Sequence, residues 1–241
     1  MLSKPLVFLR GWARDPVAVG LPIGSSPWTA RRLAQAALAA AIPGSGPVLE
    51  LGAGTGPVTR ALVEAGCPED RIVVVERDAE LCAILERRFR HLRVLRGDAL
   101  ELGGILARAR IPSVSVVLSG LPMRAVAPRA AAHCYAGAFQ SMPSGGAIIQ
   151  YTYGFRSPVD PDESVLKLDA TFVGREWRNI LPMGIWSYRR SGGDTTALRS
   201  CDRATKGIPQ NEHGPALRLA GYPAQQTEES RACSLPHRPS P

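Results

Sequence analysis

Short apolar runs alternate along this chain with longer stretches in which apolar positions recur every three or four residues. The runs PVLEL (47–51), RIVVVE (71–76), LRVLRG (92–97), SVSVVLSG (113–120) and GGAIIQYTYG (145–154) read as strands. Between them, Thr55 to Ala65 reads as a helix closed by Gly66, and Ala79 to Arg90 as a helix with Leu81, Leu85 and Phe89 on one face. Pro128 to Met142 contains another helix. Ahead of the first strand, Pro27 to Ala41 is a helical run closed by Pro43 and Gly44. Near the end, ATFVGREW (170–177) and MGIWSYRR (183–190) are two strands joined across Pro182. Strands alternating with helices predict an α/β, doubly wound, mostly parallel sheet covered on both faces. The last two strands, with no helix between them, predict a C-terminal antiparallel hairpin added to it.

Composition divides the chain into three zones. Residues 1–46 are basic at the front and end in the helical run. Residues 47–190 carry the alternating pattern. Residues 191–241 hold six prolines and five glycines but only five Leu, Ile, Val or Phe, a composition that predicts disorder. No stretch approaches the ~20 uninterrupted apolar residues of a membrane-spanning helix. The formal net charge is +8, which favours an anionic partner, either nucleic acid or an anionic lipid surface. The five cysteines are widely and irregularly spaced with no CxxC, and the four histidines form no ligand cluster. Reduced thiols in a cytoplasmic protein, with no metal site, are the simplest reading. The first residues lack a signal-peptide apolar region of sufficient length.

The sharpest local feature is Val48-Leu49-Glu50-Leu51-Gly52-Ala53-Gly54-Thr55-Gly56. A hydrophobic strand runs into three alternate glycines and then a helix, which lets a ligand approach the main chain. The pattern is GxGxG, and Pro57 removes an N–H that a pyrophosphate at the helix start would use. No GxxxxGK[ST] is present, so a nucleotide triphosphatase loop is not supported. Strand two ends in Glu76, 24 residues after Gly52, where a carboxylate suits a ribose diol. Gly97-Asp98-Ala99 stands at the tip of strand three, where Asp98 can accept from an adenine amino group or cap a helix. Three consecutive strand tips thus offer glycines, a ribose acid and an adenine acid.

With VLELGAGTG, the acid of VVVE and GDAL in view, residues 47–190 resemble the Rossmann-like, class I S-adenosylmethionine-dependent methyltransferases. The resemblance implies a seven-stranded sheet ending in a hairpin, with S-adenosyl-L-methionine as cofactor. It implies that Glu50, Gly52, Ala53, Gly54, Thr55 and Gly56 lie by its methionine part, Glu76 by the ribose, and Asp98 with Ala99 by the adenine. It adds Ser26 and Ser119 to the cofactor-binding set.

The methyl acceptor is read from the front segment and from the tips of strands four and five. Amino-group methylases of DNA and RNA adenine show [DN]-P-P-[FY] or N-L-P-Y after strand four. This chain keeps Leu121-Pro122 but has Ser119-Gly120 before it and Met123 after it, so the aromatic platform is absent. At the front, Lys4, Arg10 and Arg14 are interleaved with Leu6, Phe8, Leu9 and Trp12. That segment fits a basic amphipathic helix at a membrane interface, with Lys4, Phe8, Arg10, Trp12 and Arg14 as contacts, and equally a helix covering the core. The arrangement FLRxWxRDPxxVGxxxxSS followed by ARxLA, with SGLP at strand four, is similar to the soluble-type bacterial phospholipid N-methyltransferases. This implies methyl transfer to a phospholipid head-group amine, phosphatidylethanolamine, by a protein peripheral on an anionic membrane surface. The catalytic candidates are Ser119, Gly120, Tyr151 and Tyr153; alternate tyrosines in a strand also serve simply as packing. An rRNA adenine dimethyltransferase is the rival enzyme reading. A basic RNA- or membrane-binding module with a retained nucleoside pocket is the non-enzyme one.

Overall fold

A computed structural model of the chain describes residues 26–153, 156–159, 166–178 and 182–191. The first helix, α1 (Pro27–Ala40), starts on the side chain of Ser26, which accepts from the Thr29 N–H at 3.2 Å, with Pro27 in the first turn. It buries Thr29, Ala30, Leu33, Ala34 and Ala37 and leaves Trp28, Arg31 and Arg32 exposed. There follow β1 (Val48–Leu51), α2 (Pro57–Glu64), β2 (Ile72–Glu76), α3 (Ala79–Arg88) and β3 (Arg93–Arg96). Next come α4 (Leu102–Arg108), β4 (Val116–Ser119), α5 (Pro128–Gln140), β5 (Ile148–Tyr153), β6 (Leu168–Glu176) and β7 (Met183–Arg190).

The seven strands form one sheet in the order β3-β2-β1-β4-β5-β7-β6. β1 to β5 are mutually parallel, while β7 pairs antiparallel with both β5 and β6, as the sequence predicts for a terminal hairpin. β1, β2 and β4 are buried along their whole length because helices cover both faces. Alternate side chains divide between two cores. Val48, Ile72, Val74, Val116 and Leu118 pack with α1, α2 and α3; Leu49, Leu51, Val73, Val75 and Val117 pack with α4 and α5. Strand order reverses between β1 and β4, so the connections leaving their adjacent carboxyl ends run to opposite sides, the place where open α/β sheets bind ligands.

Three expectations need correction. α4 has no counterpart among the predicted helices, because Gly103-Gly104 depresses helix propensity; its buried Leu102, Ile105 and Leu106 hold it instead. The helix expected from Thr55 starts at Pro57, with Gly56 in the left-handed region as its cap. The helix expected to Arg90 ends at Arg88; Phe89 caps it in an extended conformation and still buries its ring. The basic segment with Lys4, Phe8, Arg10, Trp12 and Arg14 lies outside the described residues, as does residue 192 onward. Among the described residues, no helix is long and apolar enough to cross a membrane.

Candidate active site at the strand tips

β1 delivers the chain into a turn whose three glycines all have positive φ: +69° at Gly52, +59° at Gly54 and +81° at Gly56. Residues with a Cβ rarely adopt these angles. The turn is held by the Gly52 N–H donating to the Val75 carbonyl and the Gly56 N–H to the Ala53 carbonyl, both at 2.9 Å. A Cβ placed on Gly54 would meet no atom within 4 Å, so the outer side of the turn is open to close approach.

Glu76 binds this turn from the neighbouring strand tip. Its Oε2 accepts from the Gly54 N–H at 3.0 Å, and its Oε1 accepts from the N–H groups of Arg77 and Asp78 at 2.8 and 3.0 Å. The side chain is almost wholly buried, unlike the solvated strand-end carboxylate that its position alone allows. Each carboxylate oxygen has about two acceptor positions, so Oε2 keeps one for a hydroxyl. The Gly97 N–H donates to the Glu76 carbonyl at 3.0 Å and draws the β3 tip alongside. There Asp98 caps the short turn Ala99–Glu101 through the Leu100 N–H (3.0 Å), while its Oδ2 lies 3.3 Å from the Arg77 guanidinium. Ala99 is buried beneath. In the structure Asp98 serves as a cap through one oxygen and directs the other to Arg77.

Glu50 points from β1 to the α2 side and accepts from the Thr59 hydroxyl at 2.7 Å. Burial pushes its carboxyl up to about 7; the Thr59 hydrogen bond opposes this and the Glu76 charge reinforces it.

At the β4 tip, the Gly120 N–H donates to the Leu51 carbonyl at 2.8 Å. A Cβ on Gly120 would lie 2.7 Å from the Gly52 carbonyl oxygen and 3.3 Å from the Tyr151 hydroxyl. The tips of β1, β4 and β5 therefore meet at Gly120, and only glycine fits there. Of the four catalytic candidates, this corner brings Gly120 and Tyr151 together. Tyr153 stands two positions further along β5, half-buried. Ser119 is fully buried and shares with Val117 the α4–α5 side, where its Oγ accepts from the Leu121 N–H at 3.4 Å. Tyr151 packs on the opposite core. Ser26 caps α1 and donates to the Arg178 carbonyl at 3.1 Å.

Gln150 is a residue that the sequence motifs do not single out. Fully buried, its amide nitrogen donates to the carbonyls of Leu121 (2.9 Å) and Tyr151 (2.8 Å), and its oxygen accepts from the Tyr135 hydroxyl at 3.2 Å. It fixes the segment after β4 to β5. A lone amide directly after Ile148-Ile149 in a strand is the available signal.

Comparison with solved structures places this architecture. An O-methyltransferase from Bacillus cereus in complex with SAH is 13% identical, with a TM-score of 0.52 over 79% of this chain and 93% of that one. A TehB-like SAM-dependent methyltransferase from Corynebacterium glutamicum is 15% identical, with a TM-score of 0.50 over 77% of this chain and 97% of that one. The fold is that of the Rossmann-like methyltransferases. On this methyltransferase fold the glycine turn, Glu76 and Asp98 occupy three adjacent strand tips beside the reversal of strand order. In sequence, the chain is 34% identical over 122 residues to an ornithine lipid N-methyltransferase from Singulisphaera acidiphila, covering 48% of this chain and 61% of that protein. It is 37% identical over 81 residues to a probable ribosomal RNA small subunit methyltransferase A from Haloquadratum walsbyi, covering 31% of this chain and 24% of that one. The chain thus spans about three fifths of the first relative and a quarter of the second. No family model matches it.

Proposed function

We propose that this chain is an S-adenosylmethionine-dependent N-methyltransferase acting on the amine of a lipid head group, phosphatidylethanolamine in the first instance. The observation that carries the cofactor reading is the Glu76 carboxylate, buried, tied to the Gly54 N–H and still able to accept. The residues present fit a nucleoside. Gly52 to Gly56 allow close approach, Glu76 accepts from ribose hydroxyls, and Asp98 lies one strand further out for the adenine amino group. When bound, S-adenosylmethionine supplies a methyl group on a sulfonium, which a neutral amine takes by in-line displacement. The chain's part is alignment and exclusion of water. In this reading the Gly120 carbonyl and the Tyr151 hydroxyl accept from the amine and orient its lone pair, a role supported by their meeting at the corner of β1, β4 and β5. Gln150 holds that corner in place.

Likeness to the ornithine lipid enzyme supports a lipid amine as acceptor. The likeness to ribosomal RNA methyltransferases keeps adenine as the second reading. Against it, the position after Leu121-Pro122 holds Met123, which is buried in the short turn Met123–Ala125 and offers no exposed ring for a base to stack on. Incubation with methyl-labelled S-adenosylmethionine and, separately, phosphatidylethanolamine, an ornithine lipid and total RNA tests the reading. Label is expected in a lipid fraction; label confined to RNA would overturn it.

A further inference from the structure

Every large hydrophobic side chain that stands exposed among the described residues belongs to one rim of the molecule: Trp28, Phe172, Val173 and Trp177. They come from two segments far apart in sequence. Trp28 is in the first turn of α1, and the others lie on or just beyond β6, the edge strand of the sheet. Arginines join them. The Arg175 guanidinium lies over the rings of both Phe172 (5.4 Å) and Trp177 (5.5 Å), and that of Arg178 lies over Trp28 at 5.9 Å. Arg32, one turn beyond Trp28, donates to the Arg175 carbonyl, and Ser26 donates to the Arg178 carbonyl at 3.1 Å. The two segments therefore meet along the β6 edge, with Trp28 on the α1 face and Phe172, against Trp186, on the α4–α5 face.

Two local features keep this surface apolar and outward. In the pairing with β7, Phe172 faces Trp186 and Gly174 faces Ile185, so Val173 is an extra, unpaired residue. Strict alternation would turn one of two consecutive residues inward. The bulge exposes both Phe172 and Val173. At Gly174 a Cβ would lie 2.9 Å from the Arg32 guanidinium, which crosses from α1 at that point. The arginines outnumber the acids. Among the described residues, Arg31, Arg32, Arg175 and Arg178 stand at this rim with Glu176, buried 3.2 Å from the Arg178 guanidinium and 3.9 Å from that of Arg32, and exposed Asp169 lies toward the other end of β6. The backbone N–H of Arg178 first, then its side chain and Arg32, hold the Glu176 carboxyl below its usual range.

The rim also faces the right way. Met183 of β7 pairs with Tyr153 on one side and Glu176 on the other, so Trp177 and Arg178 stand at the same end of the sheet as the β5 tip. That is the end at which the glycine turn, Glu76 and Gly120 lie.

From this placement we infer that the α1–β6 rim is a docking surface for an anionic phospholipid membrane. Trp28, Phe172, Val173 and Trp177 enter the interfacial layer and the arginines meet lipid phosphates. The aromatics suit that layer because their rings are apolar with a polar edge, and a cluster of cations near the surface adds salt-screened attraction. Val173 has no π-face to stack on a nucleic-acid base but gains fully from burial among acyl chains, which favours lipid over RNA as the occupant. The residues of this surface are other than those of the Lys4–Arg14 segment. The choice of lipid as partner rests on the proposed acceptor; the geometry of the rim does not.

The test uses the full chain and a Val173→Ser/Trp177→Ser variant, both positions lying outside the proposed cofactor and acceptor machinery. Sedimentation is measured with vesicles of equal parts phosphatidylglycerol and phosphatidylcholine, and with phosphatidylcholine alone. The parent should bind the anionic vesicles, less so as salt rises, and the variant should bind roughly tenfold or more weakly. Its S-adenosylmethionine affinity and its transfer to a short-chain, detergent-dispersed phosphatidylethanolamine should match the parent's, which shows that it is folded. The same drop should appear when Lys4, Arg10 and Arg14 are already changed to Glu. Equal vesicle binding by variant and parent overturns the docking surface. So does a parent that ignores vesicles but loses binding to single-stranded RNA when Val173 and Trp177 are changed. If neither protein methylates the dispersed lipid while the vesicle difference stands, the acceptor reading fails and the docking surface survives.

Discussion

In the proposed reading Glu76 serves the site and the fold together, because the oxygen it would offer to a ribose hydroxyl is the one that also receives the Gly54 N–H. Glu76→Ala removes the acceptor and leaves three backbone N–H groups without their partner. S-adenosylmethionine binding should weaken by roughly 1.5–3 kcal/mol, the scale of hydrogen bonds to a charged group, with a lower melting temperature besides. Calorimetry giving an unchanged affinity would remove Glu76 from the ribose assignment. Glu50 has a different signature. Its carboxyl is raised from 4.5 to about 7 in the folded chain, so the folded state binds the proton more tightly than the unfolded one. Its contribution is unchanged below about 4.5, falls as pH rises to about 7, and stays low above that. Glu50→Gln keeps an oxygen for the Thr59 hydroxyl and has no charge to desolvate. Denaturant titrations should show it gaining up to roughly 3 kcal/mol on the parent between pH 5 and pH 8; parallel curves at both pH values would contradict the buried, raised carboxyl. Glu76 and Asp98 are legible in the sequence because strand-tip acids at that spacing have a recognisable chemistry. The ties that seat them, to Gly54 and Arg77, are not, since spacing carries no hydrogen-bond direction.

At the scale of elements, the site is made where β1, β4 and β5 end together. Gly120 is the contact point, since a Cβ there would lie 2.7 Å from the Gly52 carbonyl oxygen. Gly120→Ala must push β4 away from the glycine turn. It should cost about 1–3 kcal/mol of stability, the usual scale of overpacking, and weaken cofactor binding. Thermal unfolding and calorimetry on the one variant check both; a normal melting temperature would mean that the tips are freer than this contact allows. The strands and most helices are readable because their apolar periods are clean. α4 is not, because Gly103-Gly104 hides a helix whose stability comes from Leu102, Ile105 and Leu106 packing against the sheet. The α1–β6 rim is invisible for a related reason: Trp28 and Arg178 are brought together by the fold, and Val173 is turned outward by a bulge that no alternation rule foresees.

For the whole molecule, the sheet with its two cores is complete within the described residues up to Ser191, and the sparse apolar content of residues 192–241 gives that segment little to bury. Removing residues 192–241 should leave the melting temperature and S-adenosylmethionine affinity close to those of the full chain. A large cooperative loss of stability on truncation would show that this segment packs on the domain. The basic excess reads differently once the fold is known. Arg31, Arg32, Arg175 and Arg178 gather at one rim with the exposed aromatics, where they can act together on an anionic partner.

The bulge at Val173 has a consequence for self-association. An open sheet has two outer strands whose unpaired N–H and C=O groups invite a second copy to extend it. On β3 the outer strand carries exposed Arg93 and Arg96, whose like charges repel a copy of themselves. β6 has Thr171, Phe172 and Val173 exposed in a row, a composition that would favour such growth. The irregular register there interrupts the line of backbone groups that a partner strand must match. Deleting Val173 would restore that line on an apolar edge. Sedimentation velocity should then find concentration-dependent association in the deletion variant and a single species in the parent.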